Sequence, residues 1–210
     1  MFIENHSTVL FQGDSITDAM RVREDAQDLG LGYPRYAASL FSALHPEMDV
    51  TFLNRGVSGD TTTLLIGRWT EDCIRLAPDV LSILIGINDC WRRFDSDQIT
   101  PVERYRDNYE LLLSRVKKEL PNTKIIMMEP FLLPYPEDRI AWREDLDPKI
   151  HAMRELALSY ADVFIPCDGI MNRAYQTKKG EHTWSADGVH PTPEGHALLA
   201  IEWLKAVGAM

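Results

Sequence analysis

The sequence predicts an α/β fold, a three-layer α/β/α sandwich around a central five-stranded parallel sheet. Five short runs of apolar and β-branched residues recur at intervals of roughly 30–45 residues, with helix-period segments between them. The runs are nearly continuous in apolar residues, as strands are when a parallel sheet is covered on both faces. In such a sheet ligands bind beyond the carboxyl ends of the strands, so the residues after each run become the candidate site.

The first run, Thr8–Phe11, opens into Gly13-Asp14-Ser15-Ile16-Thr17-Asp18. The second, Val50–Leu53, is followed by Asn54-Arg55-Gly56-Val57-Ser58-Gly59-Asp60-Thr61, and the third, Val80–Ile85, by Gly86-Ile87-Asn88-Asp89. Lys124–Met128 and Val163–Ile165 complete the set. Tyr105, Tyr109, Leu112, Leu113, Val116 and Leu120 form one stripe of an amphipathic helix. Ile150, Met153, Ala157 and Tyr160 form a second stripe. Ala197, Leu198, Ile201 and Leu204 form a third, entered through Pro193 near its first turn. Glu129–Pro148, with four prolines among aromatics and charges, predicts a long surface loop; its sharper reading is a lid or specificity loop.

The 210 residues suit a single domain over 1–210, with no internal repeat and no linker. A chain of this length buries roughly 70% of its unfolded surface and needs no disulfide or metal staple. With 22 basic against 32 acidic residues the net charge is −10, which disfavours nucleic acid and anionic membranes as partners. A content of 45% hydrophobic and 26% charged residues excludes disorder. Cys73, Cys90 and Cys167 form no C-x-x-C pair and read as reduced thiols in a cytoplasm. Met1–Gln12 lacks the basic start of a leader, and Val80–Ile87 is broken by Ser82 and Gly86, so a soluble, cytoplasmic protein is expected.

A hydrolytic serine needs a base, a group to orient that base, and donors for the developing oxyanion. Ser15 follows the first strand and is the candidate nucleophile, with Gly13 allowing a sharp turn and the Ser15 N–H free to donate. Asp187-Gly188-Val189-His190-Pro191 puts a carboxylate three residues before an imidazole, so one loop can present both. Gly59, whose N–H no side chain obstructs, and the Asn88 amide supply further donors. Each block alone has a commonplace explanation as a turn, cap or surface histidine. Their joint occurrence in this order is what carries weight.

These blocks resemble the four signature blocks of the GDSL/SGNH hydrolases, with Ile16 where leucine is usual, over Val9 to about Leu204. The resemblance implies a flavodoxin-like sandwich, a Ser15–His190–Asp187 triad, and an oxyanion hole from Ser15 N–H, Gly59 N–H and the Asn88 side chain. Within the family, Phe11–Asp18, Asn54–Thr61 and Ile85–Arg92 look closest to small intracellular acetylxylan esterases. Such enzymes carry tryptophan directly before the aspartate, whereas here Ser185 and Ala186 separate Trp184 from Asp187. Trp91 and Trp184 are the substrate-binding candidates, Trp91 as a platform for a pyranose ring. The implied activity is hydrolysis of short acyl esters, chiefly acetyl groups on xylan-derived or other sugars, with no metal or cofactor. Related esterases often assemble, so a homo-oligomer is expected.

Other classes fit less well. The G-x-S-x-G elbow of an α/β-hydrolase is absent. Gly30-Leu31-Gly32 has Arg35 at the third glycine position of a dinucleotide loop and no strand before it. His182, Asp187, His190 and His196 lack the spacing of a metal hydrolase. Carboxylates are abundant, but none stand out as a glycosidase pair. Two alternatives stay open: a lysophospholipase- or thioesterase-type lipase taking longer acyl chains, and a non-enzymatic carbohydrate-binding module built on Trp91, Trp142 and Trp184.

Overall fold

A parallel pair needs a crossover between its strands, and each apolar run is joined to the next by helix. In the computed structural model, which describes residues 2–177 and 182–210, the runs form β1 (Thr8–Gly13), β2 (Thr51–Asn54), β3 (Val80–Leu84), β4 (Lys124–Met128) and β5 (Val163–Ile165). They pair in the order β2-β1-β3-β4-β5, all parallel. This is the flavodoxin-like order, in which the chain reverses its direction of winding between β1 and β3 and leaves a crevice beyond their carboxyl ends. The register runs from Val9 opposite Val80 to Gly13 opposite Leu84, so both strands deliver their following loops at one level.

Side chains alternate across the strands and feed two cores. On one face Phe11 meets Tyr33, Phe52 and Trp203 at ring separations of 5.6, 6.3 and 5.3 Å. There α2 (Tyr33–Leu44) and α8 (Pro193–Ala206) pack side by side. On the other face Leu10, Leu81 and Ile83 lie under Trp69 of α3 (Thr62–Asp72), Tyr109 of α5 (Val102–Glu119) and Met153 of α6 (Arg143–Tyr160). Each large apolar side chain fully buried in this way contributes roughly 1.5–3 kcal/mol. Short α1 (Ser15–Asp18), α4 (Ile87–Asp95) and α7 (Cys167–Thr177) complete the α-helices of the described residues. Among those residues no helix is long and apolar enough to cross a membrane.

Two expectations change. The last helix forms where expected, but its buried face is His196, Leu199, Ala200, Trp203 and Leu204; Ala197, Leu198 and Ile201 are only half-buried. The run Ala197–Ile201 is apolar all round, and a polar residue, His196, heads the true stripe. Glu129–Pro148 is not a solvated surface loop. Phe131, Leu132, Leu133, Tyr135 and Trp142 are buried, Glu137–Trp142 forms a 3₁₀ turn, and Arg143–Pro148 is already α6. Pro148 is the sixth residue of that helix, close enough to its start that one missing amide donor does not end it.

Candidate active site

Gly13 ends β1 against β3 so closely that a Cβ there would lie 2.2 Å from the Leu84 carbonyl oxygen. Glycine is therefore what lets the two strands stay paired up to the turn carrying Ser15. Asp14 caps α1 by accepting the Ile16 N–H at 3.1 Å, which presents Ser15 as the first helical residue. At the far end of the chain, Asp187 Oδ1 accepts the N–H groups of Val189 (3.0 Å) and His190 (2.8 Å), folding the loop back on itself. The loop is further held by Leu133 N–H on the Gly188 carbonyl (2.8 Å) and Tyr135 Oη on the Ser185 carbonyl (2.7 Å).

Ser15 Oγ lies 3.0 Å from His190 Nε2, and His190 Nδ1 lies 2.8 Å from Asp187 Oδ2. Burial pushes the Asp187 carboxyl upward, but hydrogen bonds from the His190 ring and N–H, with the imidazole's charge, outweigh it and hold its pKa at about 2. An ionised carboxylate only accepts, so Nδ1 carries the ring proton and Nε2 of the neutral imidazole accepts from the Ser15 hydroxyl. The Asp187 hydrogen bond, ahead of the opposing effect of burial, raises the His190 pKa above its ordinary value; the Asp14 charge adds to this and the Arg139 cation subtracts.

The amide groups are braced just as firmly. Gly59 has φ +87°, a conformation side-chain-bearing residues rarely adopt, and space alone would admit a Cβ there. Neither Ser15 N–H nor Gly59 N–H donates to an acceptor among the described residues. Asn88 Nδ2 donates one proton to the Asp60 carbonyl at 3.0 Å, which fixes the amide and leaves its second proton to give. Asp89, the next residue, is buried and accepts from Thr62 N–H (2.9 Å) and Oγ1 (2.6 Å).

The chain's relatives agree with this arrangement of elements. Residues 11–198 match the GDSL-like Lipase/Acylhydrolase family. The chain is 35% identical to an acetylxylan esterase of Geobacillus stearothermophilus, over 99% of this chain and 97% of that protein. It belongs to the GDSL-like lipase/acylhydrolase family. Membership makes it a carboxylic ester hydrolase. Two solved structures are similar along nearly their whole lengths. One is a candidate GDSL-like lipase from Parabacteroides merdae, with TM-score 0.93 and 33% identity over 99% of this chain and 98% of that one. The other is a variant of Axe2, an acetyl-xylooligosaccharide esterase from Geobacillus, with TM-score 0.89 and 31% identity over 99% and 97%.

Within this GDSL-family chain the two substrate-binding candidates sit differently. Trp91 is half-buried with its ring 5.5 Å from the His190 ring, beside Trp142. Trp184 packs against the core; its carbonyl accepts the Thr192 N–H at 3.2 Å, and its indole Nε1 is buried with no acceptor among the described residues. Neither tryptophan lines the cavity beside Ser15. That cavity, about 510 Å³, is walled by His190 and His196 and by the apolar Ala19, Met20, Leu31 and Pro191. His182 and His196 are turned to separate partners, the Ala186 carbonyl and the Tyr33 N–H.

Several residues that hold the site went unnoticed in the sequence. Arg68 on α3 bonds Asp60 Oδ2 (2.6 Å), the Arg55 carbonyl (2.6 Å) and the Gly13 carbonyl (3.1 Å), tying the first two loops together. Asp18 Oδ2 accepts from Ser58 N–H and Oγ, both at 2.8 Å. Arg139 lies over Trp142 (4.0 Å) and Trp91 (5.1 Å) and donates from Nε to the Asp187 carbonyl at 3.3 Å. Asp14 is buried, and desolvation pushes its pKa up to about 7 despite the Ile16 hydrogen bond. None of these carries a local signal: each acts on a partner distant in sequence, or through burial.

Proposed function

We propose that this ester hydrolase is a serine esterase acting on short acyl esters, chiefly acetyl groups on xylan-derived or other acetylated sugars. The reading is carried by one observation: a serine hydroxyl 3.0 Å from an imidazole whose other nitrogen is 2.8 Å from an ionised carboxylate. Ser15 attacks the ester carbonyl while His190 Nε2 takes its proton. Asp187 holds the imidazole in the tautomer that can accept and stabilises the imidazolium that forms. Ser15 N–H, Gly59 N–H and the free proton of Asn88 Nδ2 receive the oxyanion, each worth roughly 10²–10³ in rate. His190 then protonates the departing alcohol, and water deprotonated by the same ring releases the acid from Ser15.

Similarity to the Geobacillus acetylxylan esterase over nearly the whole chain supports a sugar-borne acetyl ester, and Trp91 beside His190 supports a stacking platform for it. The reading carries with it a cytoplasmic setting, consistent with three buried, unpaired cysteines, and a homo-oligomeric state. Replacing Trp91 by alanine is expected to lower kcat/KM for an acetylated xylo-oligosaccharide about five- to tenfold, the worth of one aromatic contact, while an aryl acetate changes by less than twofold. Equal losses on both substrates would remove Trp91 from substrate binding.

The size and apolar walls of the cavity favour a second reading, a lysophospholipase- or thioesterase-type lipase. A series of aryl esters from acetyl to decanoyl separates the two. The first requires kcat/KM to fall with chain length, and the second requires it to rise.

A further inference from the structure

His196 is the fourth residue of α8, on its first turn, and its ring forms part of the cavity wall with Ser15 and His190. The N–H of Tyr33, the first residue of α2, donates to His196 Nδ1 at 3.1 Å. A ring nitrogen that accepts a hydrogen bond holds no proton, so in the neutral imidazole the proton is on Nε2. The residue is only 8% exposed, and burial, with the nearby His190 charge, depresses its pKa to about 4. His196 therefore stays neutral, in one tautomer, over the range in which His190 changes charge. Its Nε2 donates to no acceptor among the described residues, and the ring stands in the wall of the cavity beside Ser15.

We propose that His196 is a substrate-binding residue whose Nε2–H donates a hydrogen bond to an ether or hydroxyl oxygen in the alcohol part of the bound ester. The direction follows from the chemistry at Ser15, on whose assignment with His190 this inference rests. The leaving oxygen must face His190 Nε2 to be protonated, so the alcohol part extends along the His190 side of the cavity. Ser58, also in the wall, gives its hydroxyl proton to Asp18 Oδ2 at 2.8 Å, Pro191 and Pro193 offer no donor, and Met20 and Leu31 are apolar, so among these wall residues the His196 imidazole is the donor that tells an oxygen-bearing alcohol from a hydrocarbon one. A second cationic ring beside His190 would repel the imidazolium formed during acylation; a neutral donor does not.

The test compares methoxyethyl acetate with butyl acetate, which differ by one oxygen in place of a methylene, in the wild-type protein and in His196→Phe. The ratio of kcat/KM for the ether over the alkyl ester is expected to fall about three- to tenfold in the variant, through KM rather than kcat. An unchanged ratio in a folded variant overturns the proposal. Should His196→Phe fail to fold because Tyr33 N–H loses its acceptor, ¹⁵N-detected imidazole spectra of the wild-type protein decide instead. They should show an Nε2–H ring that does not titrate between about pH 5 and 8. Its signal should move on addition of methoxyethanol and not of butanol. An Nδ1–H tautomer, or identical responses to the two alcohols, sinks the assignment. Failure of wild-type protein to hydrolyse either acetate counts against the esterase reading itself, while the spectra still report on His196.

Discussion

Ser15→Ala is expected to lower kcat by about 10⁶ on any ester the wild-type protein hydrolyses, with the fold unchanged by circular dichroism. The size follows from the proposed two-step route. Without Oγ there is no acyl-enzyme, and what remains is attack by water assisted by oxyanion donors and substrate binding alone. The side chain is small, and its contact is to His190 across the site, so its loss opens no core cavity. Turnover in the variant within tenfold of wild type, after active-site titration excludes contamination, would remove Ser15 as nucleophile.

Asp187→Asn is expected to cost about 10⁴ in kcat with little change in structure. Asparagine keeps an oxygen for the N–H groups of Val189 and His190, now held at 3.0 and 2.8 Å. Its amide, however, would donate to Nδ1 and force the ring proton onto Nε2, where it blocks acceptance from Ser15. The pH profile should shift in a defined direction. In the wild-type protein, hydrolysis is expected to require neutral His190 and to be lost as pH falls through a pKa raised above 6.5 chiefly by the Asp187 hydrogen bond. Without that carboxylate the acid limb of the residual activity should move to lower pH. A limb that stays in place would mean that another group sets it.

The same pair bears on stability, with a sign that can be worked out. His190 is raised on folding, so its contribution is full below about pH 6.5 and is lost as pH rises through the folded value. Asp187 is lowered to about 2, so its contribution is full above about pH 4 and is lost as pH falls toward 2. The stabilisation is greatest between those limits. It is small, because the His190 and Asp187 side chains are 43% and 33% exposed and screened by solvent.

What could be read from the sequence was whatever has a short-range signature. The five strands announce themselves as apolar runs because a two-faced parallel sheet tolerates no polar alternation. Val163–Ile165, only three residues long, is legible for that reason. The loop residues Ser15, Gly59, Asn88, Asp187 and His190 are legible because each sits in a block of special backbone or chemistry. The buried face of α8 departs from the expected stripe because a run such as Ala197–Ile201 is apolar in every direction, and a buried His196 heads the true one. The segment from Glu129 was misread because prolines and charges mark irregular backbone, not exposed backbone. Phe131, Leu132 and Leu133 are buried in the core while Leu133 and Tyr135 also grip the Asp187 loop. Arg68, Asp18, Arg139 and Asp14 have no short-range signature: an arginine that bridges Gly13, Arg55 and Asp60 looks like any surface arginine until the chain is folded.

The most direct test of the central claim is to treat the protein with a p-nitrophenyl alkylphosphonate and map the adduct by mass spectrometry across a pH series. Displacement of nitrophenol should leave one phosphonyl group per chain, on Ser15, at a rate that falls as His190 becomes protonated. No adduct, or inactivation with the group on another residue, would contradict it.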